Sequence, residues 1–302
     1  MTQRAYRRGA ARSLLLLGLL ALGACATGQT CTLHKVAELP MAAGISLPVV
    51  HVRIDGRDAT MLLDTGAQGV FLTPSGARAL GVQADPRFRG TATGIGGTVA
   101  AFGVRLDRVS LGPSVLQGVP AGVMTQNLPP AGGATIDGLF GVSVIDHYDL
   151  DLDMAAGRAA FYAGQACAAS PPQWPGMQRI PARSLNGVFV ISVKLDGRPF
   201  QAMIDSGSQE NVLFTDARGI AVARRHRLPG RVLRGVGPLL THAFVARFAT
   251  LEVGRETLHG VDMVVTARRP GTPDLVLGQP FLSRHRVWFS AQRGMLFIAP
   301  PG

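Results

Sequence analysis

The sequence predicts an all-β protein of two similar lobes, and three observations predict it. Glycine (38) and proline (20) are abundant in a chain of 302 residues, as short strands and tight turns require and a helical bundle does not. Two Asp-Gly dipeptides, Asp55-Gly56 and Asp196-Gly197, sit between apolar or alternating runs, the pattern of a two-residue hairpin turn. The third observation is an internal repeat. Val52 to Arg57 lines up with Val193 to Arg198, Asp64-Thr65-Gly66 with Asp205-Ser206-Gly207, and Gly94-Ile95-Gly96 with Gly235-Val236-Gly237, all at an offset of 141. Gly112 and Gly118 fall on Gly254 and Gly260 at 142, and Asp137 to Gly141 on Asp274 to Gly278 at 137. Drift of this size is what small loop insertions produce.

In chain order, each copy opens with a hairpin whose return strand, Ala59 to Leu63 or Phe200 to Ile204, ends at Asp-Thr/Ser-Gly. The aspartate therefore stands where the backbone turns sharply out of a strand. Helices are expected only at Pro74–Leu80 and Thr215–Val222. Gly94-Ile95-Gly96-Gly97 reads as a glycine-rich hairpin tip; a dinucleotide-binding loop is excluded, because Val99 stands where a glycine is needed and no helical pattern follows. Asp149-Leu150-Asp151-Leu152-Asp153 alternates strictly and is expected as a strand with one face in water, without the spacing of a calcium loop. Pro171-Pro172, Trp174-Pro175 and Pro181 mark residues 164–184 as a linker. The expected organisation is a tether over 25–45, a first lobe over 46–163 and a second over 185–302.

Residues 1–24 read as a targeting segment. Arg4, Arg7, Arg8 and Arg12, with no acid among them, precede an apolar run from Leu14 to Ala24 that is too short to span a bilayer. The run ends in Leu22-Gly23-Ala24-Cys25, which resembles a bacterial lipoprotein signal. That resemblance implies removal of residues 1–24, acylation of Cys25 and a membrane anchor; an ordinary secretory signal is the other reading. Ala26 after the cysteine implies, by the same resemblance, the outer membrane facing the periplasm. Cys31 and Cys167 are then left in an oxidising compartment, where a disulfide between them is expected. The seven histidines form no metal-ligand grouping, so no metal is expected. The net charge of +11 is nearly all arginine, since Lys35 and Lys194 are the only lysines, but the arginines are scattered and no nucleic-acid partner is expected. One cluster, Arg224-Arg225-His226-Arg227, reads as a solvated loop or a contact for acidic substrate or lipid headgroups.

The repeated triplets point to chemistry. A single Asp-Thr-Gly occurs in turns of many proteins, its aspartate capping the turn. Here each of two follows its Asp-Gly turn by nine residues and precedes a Gly-x-Gly by 30. Two carboxylates held close share a proton, because ionising both is costly. One then acts as base toward a water while the other donates to a carbonyl oxygen. Gly66 and Gly207 allow two such turns to meet face to face, and the hydroxyls of Thr65 and Ser206 can bond across the junction. No Gly-x-Ser-x-Gly elbow marks a serine nucleophile.

At these residues the chain resembles the aspartic peptidases, of the retropepsin-like and pepsin-like groups. The resemblance implies two acid-protease-like β-barrel lobes made by tandem duplication, with Asp64 and Asp205 as the catalytic pair and Thr65, Gly66, Ser206 and Gly207 supporting it. It implies that Gly94, Ile95, Gly96 and Gly97, with Gly235, Val236 and Gly237, are flaps over the substrate. It also implies that Leu139-Phe140-Gly141 and Val276-Leu277-Gly278 buttress the two loops. Viral members pair two chains, and pepsin-like members carry one flap with a tyrosine. This chain is fused, keeps Gly-x-Gly in each copy, has no tyrosine near Ile95, and has Pro238 where the first copy has Gly97. The implied protein is a monomeric endopeptidase acting on polypeptide with no cofactor; a non-catalytic peptide-binding lipoprotein of the same fold is the alternative. In that family the residue after the triplet, Ala67 or Ser208, lies beside the carboxylates. Ser208 is therefore expected to donate to Asp205 and to leave the shared proton on Asp64.

Overall fold

The computed structural model describes residues 33–94, 97–163, 173–185, 187–228, 243–268, 272–291 and 293–301. The signal segment, Cys25, the Cys31–Cys167 pair and the flap residues Ile95, Gly96, Gly235, Val236 and Gly237 lie outside the described residues. In the first copy, β1 (His34–Pro40), β2 (Val49–Ile54), β3 (Arg57–Leu63) and β4 (Val70–Leu72) precede helix α1 (Pro74–Leu80). Then come β5 (Asp85–Gly94), β6 (Gly97–Leu111), β7 (Ser114–Met124), β8 (Gly138–Phe140), α2 (Val142–Ile145), β9 (Asp149–Asp153) and β10 (Arg158–Ala163). The second copy follows with β11 (Gln178–Leu185), β12 (Val188–Leu195), β13 (Arg198–Ile204), β14 (Val212–Thr215) and α3 (Ala217–Ala223). It continues through β15 (Arg227–Leu228), β16 (Phe244–Val253), β17 (Glu256–Ala267), β18 (Leu275–Leu277), α4 (Gln279–Leu282), β19 (Arg286–Ser290) and β20 (Met295–Ala299).

Each copy folds into a barrel. The strand order β2-β3-β8-β4-β7-β6 closes where β6 pairs with β2, and β12-β13-β18-β14-β17-β16 closes where β16 pairs with β12. Alternation drives this: β2 buries Val50, Val52 and Ile54 and exposes His51 and Arg53 between them. The Asp-Gly turns are left-handed at both residues, with φ of 50° and 82° at Asp55 and Gly56 and of 48° and 74° at Asp196 and Gly197. Each turn aspartate then stitches the barrel seam: Asp55 Oδ1 accepts from Arg108 N at 2.7 Å and Asp196 Oδ1 from Thr250 N at 2.8 Å. Helix α1 has the expected bounds, because Thr73 caps it by accepting from Gly76 N at 3.0 Å and Gly81 ends it at φ 69°. In the second copy Thr215 stays in β14 and Asp216 is the cap, accepting from Gly219 N at 2.8 Å, so the helix starts at Ala217. The short helices α2 and α4 were not expected; four residues are too few for a periodic signal. Arg224-Arg225-His226 forms an exposed 3-10 turn after α3.

A third sheet, in the order β1-β10-β9-β19-β20-β11, joins the copies, with β9 of the first lying antiparallel against β19 of the second. The stretches expected as tether and linker each contain a strand of it, β1 and β11, at corresponding outer positions. β11 pairs with β20 as far as Pro181 and with β12 from Ala182, so the proline, which has no N–H to donate, stands at the changeover. The wet face expected for β9 is corrected: Asp149, Asp151 and Asp153 are only 6%, 0% and 0% exposed. Their carboxylates face cations instead of water, Arg286 and Arg293 from the second copy and Arg158 from the first. Arg286 grips Asp151 with two bonds, Nε to Oδ1 at 2.8 Å and Nη2 to Oδ2 at 2.5 Å, while Arg158 bridges Asp151 and Asp153. Asp149 accepts from Trp288 Nε1 at 3.0 Å, Ser290 Oγ at 2.9 Å and Arg293. The ring of Trp174 covers the Arg286 guanidinium at 3.9 Å.

Candidate active site

Asp64 and Asp205 stand immediately after β3 and β13, where each strand leaves its barrel. Beside each, a three-residue strand threads between two others: β8 runs parallel to β3 and antiparallel to β4, and β18 repeats this with β13 and β14. The threaded strands hold the aspartates by the backbone, Asp64 N donating to Phe140 O at 2.8 Å and Asp205 N to Leu277 O at 3.0 Å. Just beyond, Val142 N donates to Ala67 O and Gln279 N to Ser208 O, both at 2.9 Å. Gly141 and Gly278 are required by this closeness: a Cβ would lie 2.8 Å from Gly69 N at the first and 3.0 Å from Ser208 Cβ at the second.

The two loops interlock. Thr65 and Ser206 are fully buried, and four hydrogen bonds cross between the copies. Thr65 Oγ1 donates to Ile204 O at 2.8 Å and accepts from Ser206 N at 3.0 Å. Ser206 Oγ donates to Leu63 O at 2.6 Å and accepts from Thr65 N at 3.0 Å. Each hydroxyl thus uses its one proton and one lone pair on the other copy's backbone. Gly66 and Gly207 lie against the opposite carboxyls; a Cβ at either would sit 2.6 Å from Oδ2 of Asp205 or Asp64. A side chain at either would displace a carboxyl.

The carboxyls of Asp64 and Asp205 hydrogen-bond to each other. Asp64 Oδ1 also accepts from Gly66 N and Ala67 N, both at 2.9 Å, and Asp205 Oδ1 from Gly207 N at 2.8 Å. Burial lifts both above the ordinary carboxylate range, and Asp205 is lifted further, by burial first and then by the charge of Asp64. The pair therefore holds one proton between two acids and titrates as a unit. The expected role of Ser208 fails. Its hydroxyl donates to Glu210 O at 2.8 Å, so its single proton is not available to Asp205.

Gly94 and Gly97 face each other at the end of the β5–β6 hairpin, with Thr93 Oγ1 and Thr98 Oγ1 bonded at 2.9 Å across it. Ala92 and Val99 pack beneath the tip on Met124, Phe71 and Leu128. Residues that the sequence reading did not assign also shape the loops. Asp137 Oδ2 accepts from Thr60 N at 2.9 Å and Asp274 Oδ2 from Gln201 N at 2.8 Å, pinning the threaded strands to the hairpins; their recurrence in both copies was the available signal. In the second copy Gln279 Nε2 donates to Ser206 O at 2.8 Å and Asn211 Oδ1 accepts from Gly278 N at 3.0 Å. Valine stands at both corresponding positions of the first copy, Val142 and Val70, so self-comparison had nothing to flag.

A search of curated proteins finds no match to the chain. The family model described as aspartyl protease matches residues 50–144 and 191–281, more than half of the chain, each match holding one barrel's aspartate loop and its threaded strand. With two such matches, and with the aspartates of both meeting at one hydrogen-bonded junction, the chain belongs to the aspartyl protease family.

Proposed function

We propose that this chain is an aspartic endopeptidase of the periplasm, held to the outer membrane by a lipid on Cys25, that cleaves polypeptides of the cell envelope. The carrying observation is the pair of carboxyls, bonded to each other and fed by backbone N–H groups at the junction of two barrels. The ionised member takes a proton from a water as that water attacks the scissile carbonyl carbon. The protonated member gives its proton to the carbonyl oxygen, forming a tetrahedral diol. The C–N bond then breaks, the nitrogen taking a proton from the dyad while a diol hydroxyl returns one to it, and no bond forms between enzyme and substrate. An extended peptide adds to the β5–β6 hairpin as a further strand, which supplies affinity through its backbone. The chain acts as a monomer, since duplication supplies both aspartates. Incubation of the full chain with a peptide library tests the reading: internal cleavage that is lost in Asp64→Asn is expected, whereas peptide retention without cleavage would leave only a binding protein. Mass spectrometry of the mature N-terminus tests the anchor; an acylated Cys25 is expected, and a start at Ala26 or later would refute it.

A further inference from the structure

The two copies brace their active loops from behind with different chemistry. After α2 the chain turns back at Tyr148, whose N donates to Ile145 O at 2.9 Å and whose hydroxyl meets Ser114 Oγ, at the start of β7, at 2.8 Å. After α4 it makes the same turn at His285, whose N donates to Leu282 O at 3.2 Å and whose Nε2 meets Glu256 Oε2, at the start of β17, at 2.9 Å. Tyr148 and His285 each lie seven residues after Gly141 or Gly278, and Ser114 and Glu256 each two after Gly112 or Gly254, so the positions correspond. A neutral hydroxyl pair in one copy stands where the other has an imidazole and a carboxylate.

Both contacts of the His285 ring nitrogens are to oxygen atoms. The ring is 3% exposed and stacks on Phe281 with centroids 4.1 Å apart. Its Nδ1 lies 2.7 Å from Phe281 O, a carbonyl that only accepts, and its Nε2 faces a carboxylate that, when ionised, only accepts. Both contacts are hydrogen bonds only while both ring nitrogens carry protons. With a single ring proton, one contact sets lone pair against lone pair. The other charged groups at this place are Arg255, next to Glu256 on the β16–β17 turn, and Arg284 on the histidine's own segment; with Gln178 of β11 they line the same cavity. Gln178 Oε1 accepts from Arg255 N at 2.8 Å and holds that turn in place.

The brace reaches the aspartate loop through one short turn. Phe281, whose carbonyl the ring holds, belongs to α4, and Gln279 at the start of α4 bonds Ser208 O and Ser206 O on either side of Gly207. We infer that Glu256 and His285 are positioning residues of the Asp205 loop, and that their hold is made by the doubly protonated ring and released as pH rises. The first copy's Tyr148–Ser114 brace has no such release. The inference rests on the proteolytic reading only for its activity arm.

Two variants of the full chain test it. Glu256→Ser with His285→Tyr installs the first copy's neutral pair. Glu256→Gln keeps the shape, and its amide can bond either form of the ring. Between about pH 5 and about pH 8, where imidazoles change charge, wild-type Tm is expected to fall relative to both variants by about 4 °C. Over the same range wild-type kcat/KM is expected to fall about fivefold relative to them, in kcat rather than KM. Tm curves that run parallel for wild type and variants overturn the inference whatever the activity. Diverging Tm with parallel kcat overturns the positioning role, and diverging Tm with no cleavage in any protein overturns the peptidase reading while leaving the ionisable brace. Should the double variant fail to fold, Glu256→Gln alone decides between these results.

Discussion

At the scale of residues, the two aspartates form one chemical object. Their carboxyls share a hydrogen bond and a proton, so Asp64→Asn and Asp205→Asn are each expected to remove turnover. The double variant should be scarcely worse than either, because members of a unit are not additive. Near-normal kcat/KM in either single variant would rule out a shared dyad. Stability carries a second signature. Burial raises the Asp205 carboxyl well above its ordinary value, so wild type is favoured where that group is protonated and loses this contribution as pH rises through the raised value. Asparagine stays neutral throughout. The Tm of Asp205→Asn should therefore gain on wild type as pH rises above about 4, the ordinary carboxylate value; a constant difference would mean that burial and Asp64 do not raise the Asp205 carboxyl.

At the scale of elements, the Asp-Gly hairpins do two jobs. Asp196 takes φ 48°, and its carboxylate accepts from Thr250 N across the seam of the barrel. Asp196→Ala loses the bond and also forces a Cβ-bearing, non-polar residue into the left-handed region, for a cost of about 1–2 kcal/mol. Asp196→Gly loses only the bond, so urea denaturation should place it between wild type and the alanine variant. Equal loss in both would show that the turn conformation contributes nothing. These hairpins were legible in the sequence because their turn chemistry is local. The four-residue helices α2 and α4 were not, since they exist only to carry the chain from a threaded strand past an aspartate loop.

At the scale of the whole molecule, the copies have diverged where they meet. The first supplies Asp149, Asp151 and Asp153 on β9, and the second supplies Arg286, Trp288 and Ser290 at the matching places on β19. Arg286 meets Asp151 in a bidentate contact beneath Trp174. Asp151→Ala leaves a largely buried guanidinium without its main partner, and a loss of about 3–5 kcal/mol is expected by denaturant titration. A loss below about 1 kcal/mol would mean the pair behaves like a surface ion pair. Pairing of acid against base also favours the joining of unlike copies over a symmetric pairing of two β9 strands, which would set aspartates against each other.

The amino-acid sequence alone determined the duplication, the Asp-Gly turns, the bounds of α1 and the aspartate triplets, because each is a pattern held within a few residues or repeated at a constant offset. Tertiary structure decided which way the alternating aspartates of β9 face, since periodicity distinguishes two faces but does not say which is covered by a partner from far along the chain. It decided that β1 and β11, short and weakly patterned, are strands, because β10 for β1, and β20 and β12 for β11, supply their hydrogen bonding. It also decided the direction of the Ser208 hydroxyl: it has one proton, and a carbonyl two residues away claims it.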